Sequence, residues 1–148
     1  MDVAIIGDVN TDNVQDIAVG TTQNGVANQV NVYSGSNGAL LYNIPPTSIT
    51  YFGAEIAPLG DINGNGIPDF AVGSPWTFIN QAVPGIVNVY DGNGGVTPIY
   101  TFIPPVADGV YEVGFSLQTI NDLNGDGVKD LVVGAPGFVA NPPLVNLP

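Results

Sequence analysis

The stretch DINGNGIPDFAVGSP, Asp61 to Pro75, decides how this chain is read. Asp61, Asn63 and Asn65 alternate, Asp69 follows, and an apolar run begins. Alone, the stretch reads as a polar turn between strands, because Asp, Asn and Gly are ordinary turn residues. Two further copies change its weight. GDVNTDNVQDIAVGT (Gly7–Thr21) and NDLNGDGVKDLVVGAP (Asn121–Pro136) repeat the spacing, with leading acids at Asp8, Asp61 and Asp122. Each copy also carries an acid at its ninth position: Asp16, Asp69 and Asp130. Three copies that keep both acids argue against a plain turn and for a repeat architecture.

The similarity extends beyond the loops. YFGAEIAPLGD (Tyr51–Asp61) matches EVGFSLQTIND (Glu112–Asp122), which sets Gly53 on Gly114, Ile56 on Leu117 and Leu59 on Ile120. Downstream, QVNVYSGSNGALLYNIPP (Gln29–Pro46) matches GIVNVYDGNGGVTPIYTFIPP (Gly85–Pro105). The tail PLVNLP (Pro143–Pro148) opens a third copy of that segment. In the middle unit the pattern predicts strands at Tyr51–Leu59, Asp69–Gly73, Ile86–Tyr90 and Ile99–Ile103. Val87 and Val89 alternate with Asn88 and Tyr90, as a strand requires. SGSNG and DGNGG supply residues that tolerate positive φ in hairpin turns. The Pro pairs end pairing, because Pro has no N–H. Four strands in roughly 50–60 residues describe one β-propeller blade, so the expected fold is all-β. The expected layout is one repeat domain across 1–148. Its blades fall at roughly 2–46, 50–105 and 110–148, the last without its final strand, or about eleven strands in all.

Composition narrows the function. Charged residues make up only 9% of the 148, and Gly (20) and Pro (13) are abundant. Thirteen acids face a single base, Lys129, and there is no His. That excess repels nucleic acid and anionic lipid and attracts cations. No apolar run is long enough to span a membrane as a helix. Without Cys there is no disulfide or thiol chemistry. Without His, Cys or Arg no familiar catalytic triad or anion clamp can be assembled, so an enzyme is not expected. VGSP and VGAP (Val72–Pro75, Val133–Pro136) lack the Lys of a phosphate loop and read as strand ends. No secretory signal precedes the strand-like VAII (Val3–Ile6), so the expectation is a mature form, a fragment or an unseen export route.

The loops have the makings of cation sites. Ca²⁺ is a hard ion that takes six to eight oxygens, and a tight loop supplies them from alternate positions. The first set is Asp8, Asn10, Asp12, the Val14 carbonyl and Asp16. The second is Asp61, Asn63, Asn65, the Ile67 carbonyl and Asp69. The third is Asp122, Asn124, Asp126, the Val128 carbonyl and Asp130. Gly66 and Gly127 suit the sharp turn at the sixth position, and Asn13 is the next most tolerant residue. Eight of the 13 acids lie in these loops. Each close carboxylate pair costs about 1 kcal/mol at 4 Å even in water, so a cation favours folding. The second loop has two acids where the others have three, and is expected to be the weakest. An EF-hand requires Glu at position 12 and flanking helices. Val19, Val72 and Val133 stand there instead.

Phe52-Gly53, the Asp61–Asp69 loop and AVGSP together resemble an FG-GAP repeat, the blade type of the integrin α-subunit propeller. The resemblance covers nearly the whole chain, although the first copy lacks its Phe-Gly start. It implies one Ca²⁺ per loop, up to three, and an extracellular or cell-surface setting. Incomplete blades with uncovered apolar faces imply a structural protein that associates with itself as a homo-oligomer, filament or tube. The alternative is a piece of a larger integrin-like propeller that binds a protein ligand or mediates adhesion. Neither reading involves nucleic acid or membrane insertion. Glu55 and Glu112 are expected to be solvated. Phe78, Tyr90, Tyr100 and Phe102 are expected to pack in the core or between blades, and Trp76 is a candidate contact residue.

Overall fold

The computed structural model describes residues 1–23, 26–45, 51–75, 85–104 and 110–138. Strands β1 (Val3–Gly7), β2 (Asp16–Gln23), β3 (Val26–Tyr33) and β4 (Leu40–Ile44) form one four-stranded antiparallel sheet in chain order. Strands β5 (Glu55–Gly60), β6 (Asp69–Ser74), β7 (Ile86–Tyr90) and β8 (Tyr100–Phe102) form a second. In the third repeat β10 (Ser116–Ile120) pairs with β11 (Asp130–Gly134). The short strands β9 (Val110–Tyr111) and β12 (Gly137–Phe138) make a separate pair. Among the described residues there is no helix. The sheets are propeller-type blades, and the array is not closed.

The blades stack face to face, and side-chain alternation assigns each face of the middle blade to a different neighbour. Ile56, Phe70, Val72 and Tyr90 join Ile6, Ala18, Val30, Val32 and Ile44 of the first blade in one core, with Phe52 between them. The opposite face carries Ala57, Ala71, Val87 and Val89, which pack with Val113 and Leu117 of the third repeat. Every residue of β6 and β7 is therefore buried, whereas β1 and β4 are buried only in part. The rings of Phe52 and Tyr90 meet edge to face at 6.0 Å. Each large apolar side chain removed from water in this way stabilises the fold by about 1.5–3 kcal/mol.

Backbone contacts set the spacing between blades. A Cβ on Gly20 would run into the Gly53 carbonyl, and one on Gly73 into the Gly114 carbonyl. These are equivalent positions in successive repeats, so each blade touches the next through glycine against glycine.

Two expectations need correcting. The first strand of the middle blade starts at Glu55, not Tyr51. Residues 51–54 form a turn with Tyr51 at φ 63° and the Ala54 N–H donating to the Tyr51 carbonyl. Glu112, which aligns with Tyr51, adopts φ 61° in the same turn of the third repeat. The turn swings Phe52 inward, where it is fully buried. Tyr90 packs in the core as expected, but Tyr100 and Phe102 are 62% and 53% exposed. They line an apolar groove of roughly 750 Å³ with Val113, Leu131 and Val133. The equivalent Ile44 is buried, and Tyr42 donates to the Gly92 carbonyl, because the β7–β8 hairpin lies over them. The third repeat's counterpart of β7 falls at 143–148, outside the described residues. Trp76 and Phe78 also lie outside them.

Burial pushes the Tyr90 hydroxyl up to about 12. The unfolded chain releases that proton near pH 10, so the stabilisation is complete below about pH 10 and is lost as pH rises through the folded value. Stability should fall by roughly 2–3 kcal/mol over this interval. In Tyr90→Phe the decline should be shallower but not absent, because burial also pushes the Tyr42 hydroxyl up. Urea titrations of both proteins at pH 9 and pH 11.5 check this, and equal slopes would contradict it.

Candidate metal centres

Each loop joins the first two strands of its repeat. The closing acid pairs with the last residue of the first strand: Gly7 opposite Asp16, Gly60 opposite Asp69, Ile120 opposite Asp130. Between these anchors the chain turns through left-handed backbone. Asn13, Gly66 and Gly127 adopt φ 67°, 86° and 88° at the sixth position, as expected. The fourth position is left-handed as well, at Thr11, Gly64 and Gly125. Thr11 is the one β-branched residue held there.

The opening acid gathers the loop's amides. Asp8 accepts the N–H groups of Asp12 (3.1 Å) and Asn13 (2.7 Å). Asp61 accepts those of Gly64 (2.7 Å), Asn65 (3.1 Å) and Gly66 (2.8 Å). Asp122 accepts those of Gly125 (2.7 Å) and Gly127 (2.8 Å). The amides of Gly66 and Gly127 hold Asp61 and Asp122 below the usual carboxylate range. The third position accepts from the fifth: Asp12 to Asn10, Asn65 to Asn63, Asp126 to Asn124. The fifth-position oxygens then take the N–H of Val14, Ile67 and Val128. Val14, Ile67 and Val128 are the residues whose carbonyls the loop spacing offers to a cation.

The closing acid has a further duty. Asp16 and Asp69 are fully buried. One oxygen of Asp16 accepts the Val9 N–H at 2.9 Å and the other the Gly35 N–H at 2.9 Å. Asp69 repeats this with Ile62 at 3.0 Å and Gly92 at 3.2 Å. Asp130 accepts the Leu123 N–H at 2.7 Å. Asp16 and Asp69 thus tie their loops to the turn after the third strand of the same blade. Burial pushes Asp69 above the usual range, and the Ile62 and Gly92 amides pull against it.

The turn after the third strand supplies a residue that sequence reasoning missed. In the first blade the Ser36 hydroxyl donates to Asp12 at 2.8 Å, and this bond lowers the Asp12 carboxyl. In the second blade Asp91 accepts both contacts from the Asn65 amide at 3.0 Å. The acid missing from position five is replaced by one on the adjoining hairpin. The repeat alignment holds the signal: Asp91 stands where the first copy has Ser34, in the repeat whose loop carries Asn65. Lys129 is exposed. Glu55 is not a solvated side chain. It is half-buried, and burial followed by the charge of Asp2 pushes its carboxyl up.

The donor set is all oxygen, which suits a hard cation. Among the described residues no three acidic side chains converge closely enough to hold a metal by themselves. Amide and carbonyl oxygens would therefore complete any coordination shell. Asp12, Asp61, Asp122 and Asp126 are exposed and offer carboxylates for it, and Asp8 is half-buried.

The FG-GAP repeat model matches residues 113–142, which include the third loop. This is an FG-GAP repeat protein. Its FG-GAP blades are similar to integrin α chains along most of their length. Chicken integrin alpha-6 is 40% identical over 146 residues, which cover 90% of this chain and 13% of that protein. Integrin alpha-PS2 of Drosophila melanogaster is 32% identical over 141 residues, covering 89% and 10%. Mouse integrin alpha-2 is 33% identical over 125 residues, covering 80% and 10%. The FG-GAP chain thus spans about a tenth to an eighth of the length of these relatives.

Proposed function

We propose that this chain is a run of blades from an integrin-like propeller, stabilised by Ca²⁺, that serves at a cell surface as a non-catalytic scaffold for a protein ligand. The observation that carries this reading is the 40% identity to an integrin α chain over nearly the whole chain. The oxygen-lined loops at Asp8–Asp16, Asp61–Asp69 and Asp122–Asp130 support one Ca²⁺ each. Asp91 makes the second loop a fuller site than its own residues suggest. A second reading, association between copies through blade faces, is favoured by the exposed Val3, Ile5 and Leu40 on the first blade.

A ligand that binds only the folded state raises its stability. Millimolar Ca²⁺ is expected to raise the melting temperature above that in EDTA, with Mg²⁺ less effective. Melting curves that coincide in EDTA and Ca²⁺ would overturn the cation reading. Beads carrying the chain should bind a cell-surface or matrix protein in Ca²⁺ and release it in EDTA.

A further inference from the structure

Successive FG-GAP blades share a contact that the loops do not explain. The Asp2 carboxylate accepts the Ile56 N–H of β5 at 2.8 Å. At the next junction the Glu55 carboxylate faces the Leu117 N–H of β10. These positions are equivalent: Asp2 and Glu55 each stand six residues before the opening acid of their loop, and Ile56 and Leu117 each stand five before theirs. With Lys129 as the sole basic side chain, carboxylates in this chain find their partners in backbone amides.

The first strand of the first blade offers the same edge outward. Val3 stands five residues before Asp8, in the place of Ile56 and Leu117. The Gly20 N–H donates to the Asp2 carbonyl, and Val3 lies opposite Val19. That makes Val3 and Val19 a non-hydrogen-bonded pair, so the Val3 N–H turns away from β2. β1 is the end strand of its sheet, and Val3 is 58% exposed. Behind this edge, Ile17, Val19 and Tyr33 occupy the places of Phe70, Val72 and Tyr90, the residues through which the second blade packs on the first.

We propose that the outer edge of β1, centred on the Val3 N–H, docks the first strand of another FG-GAP blade that carries a carboxylate at the place held here by Asp2 and Glu55. The proposal rests on the reading of the chain as a run of propeller blades and specifies the chemistry of the blade that precedes it. A carboxylate suits the position because a charge-assisted hydrogen bond is shorter and stronger than a neutral one. The third repeat has Ser116 there, so a copy of this chain presents a hydroxyl, and Ser116→Asp supplies the acid.

The test is sedimentation equilibrium of the full 148-residue chain. Ser116→Asp should raise the head-to-tail association constant about tenfold over the parent, the scale of one charge-assisted bond. Adding Val3→Pro should return it to the parent value, since Pro removes an N–H the ladder does not use and is tolerated on an edge strand. Should Val3→Pro fail to fold, Val3→Asp sets a like charge against the incoming acid and should abolish the gain. No gain from Ser116→Asp, or a gain that survives the Val3 change, overturns the proposal. Each protein is also melted in Ca²⁺ and in EDTA. An intact gain with no effect of Ca²⁺ defeats the calcium reading alone, and the converse defeats the docking edge alone.

Discussion

Asp69→Ala is expected to cost about 3–5 kcal/mol, because it removes the carboxylate to which a buried and a part-buried amide donate. Ile62 and Gly92 both donate to it, and Asp69 itself is fully buried. Each orphaned buried group costs about 1–3 kcal/mol. Against a total stability of roughly 7–15 kcal/mol for a chain of this size, that is a large share. The loss should persist in EDTA, since it arises from the tie between loop and hairpin. Asp61→Ala makes the contrast. Asp61 is exposed, so its loss should matter more in Ca²⁺ than in EDTA. Urea midpoints of both variants, with and without Ca²⁺, separate the two roles. A loss below about 1 kcal/mol for Asp69→Ala would refute the tie.

Gly73→Ala is the second large effect, expected at about 3 kcal/mol. Its cause is wholly steric. Gly73 has no left-handed φ, but the added methyl meets the Gly114 carbonyl, and that neighbour is backbone with no flexible end to yield. Gly64→Ala is the control. There the space is open but φ is 78°, so the cost should be about 1 kcal/mol from backbone strain alone. Thermal melts of the two variants give the comparison. Equal losses would mean that the blades can separate slightly at no cost.

Much of the fold was legible because it is written three times. The alternation of Val87 and Val89 with Asn88 and Tyr90 placed β7 correctly, and the alignment of Glu112 with Tyr51 reappears as a shared left-handed turn. The missed features depend on neighbours. Tyr100 and Phe102 look like core strand residues, but exposure is decided by whether a third strand from the next repeat covers them. Glu55 looks like a surface acid until β10 lies against it. Asp91 looks like a turn residue until the hairpin folds back and brings it to Asn65, 26 residues away. The loop residues were identifiable from spacing, whereas the buried tie made by Asp16 and Asp69 follows only from the course of the hairpin.

The glycine contacts between Gly20 and Gly53 and between Gly73 and Gly114 are copies of one joint. A chain assembled from identical joints behaves as a one-dimensional array, in which stability is a sum of unit terms and nearest-neighbour terms. Lengthening or shortening such an array by a whole unit leaves every remaining joint unchanged. Blade number can therefore vary in an open array without redesign of any interior, whereas closure into a ring ties the rotation at each joint to one number of blades.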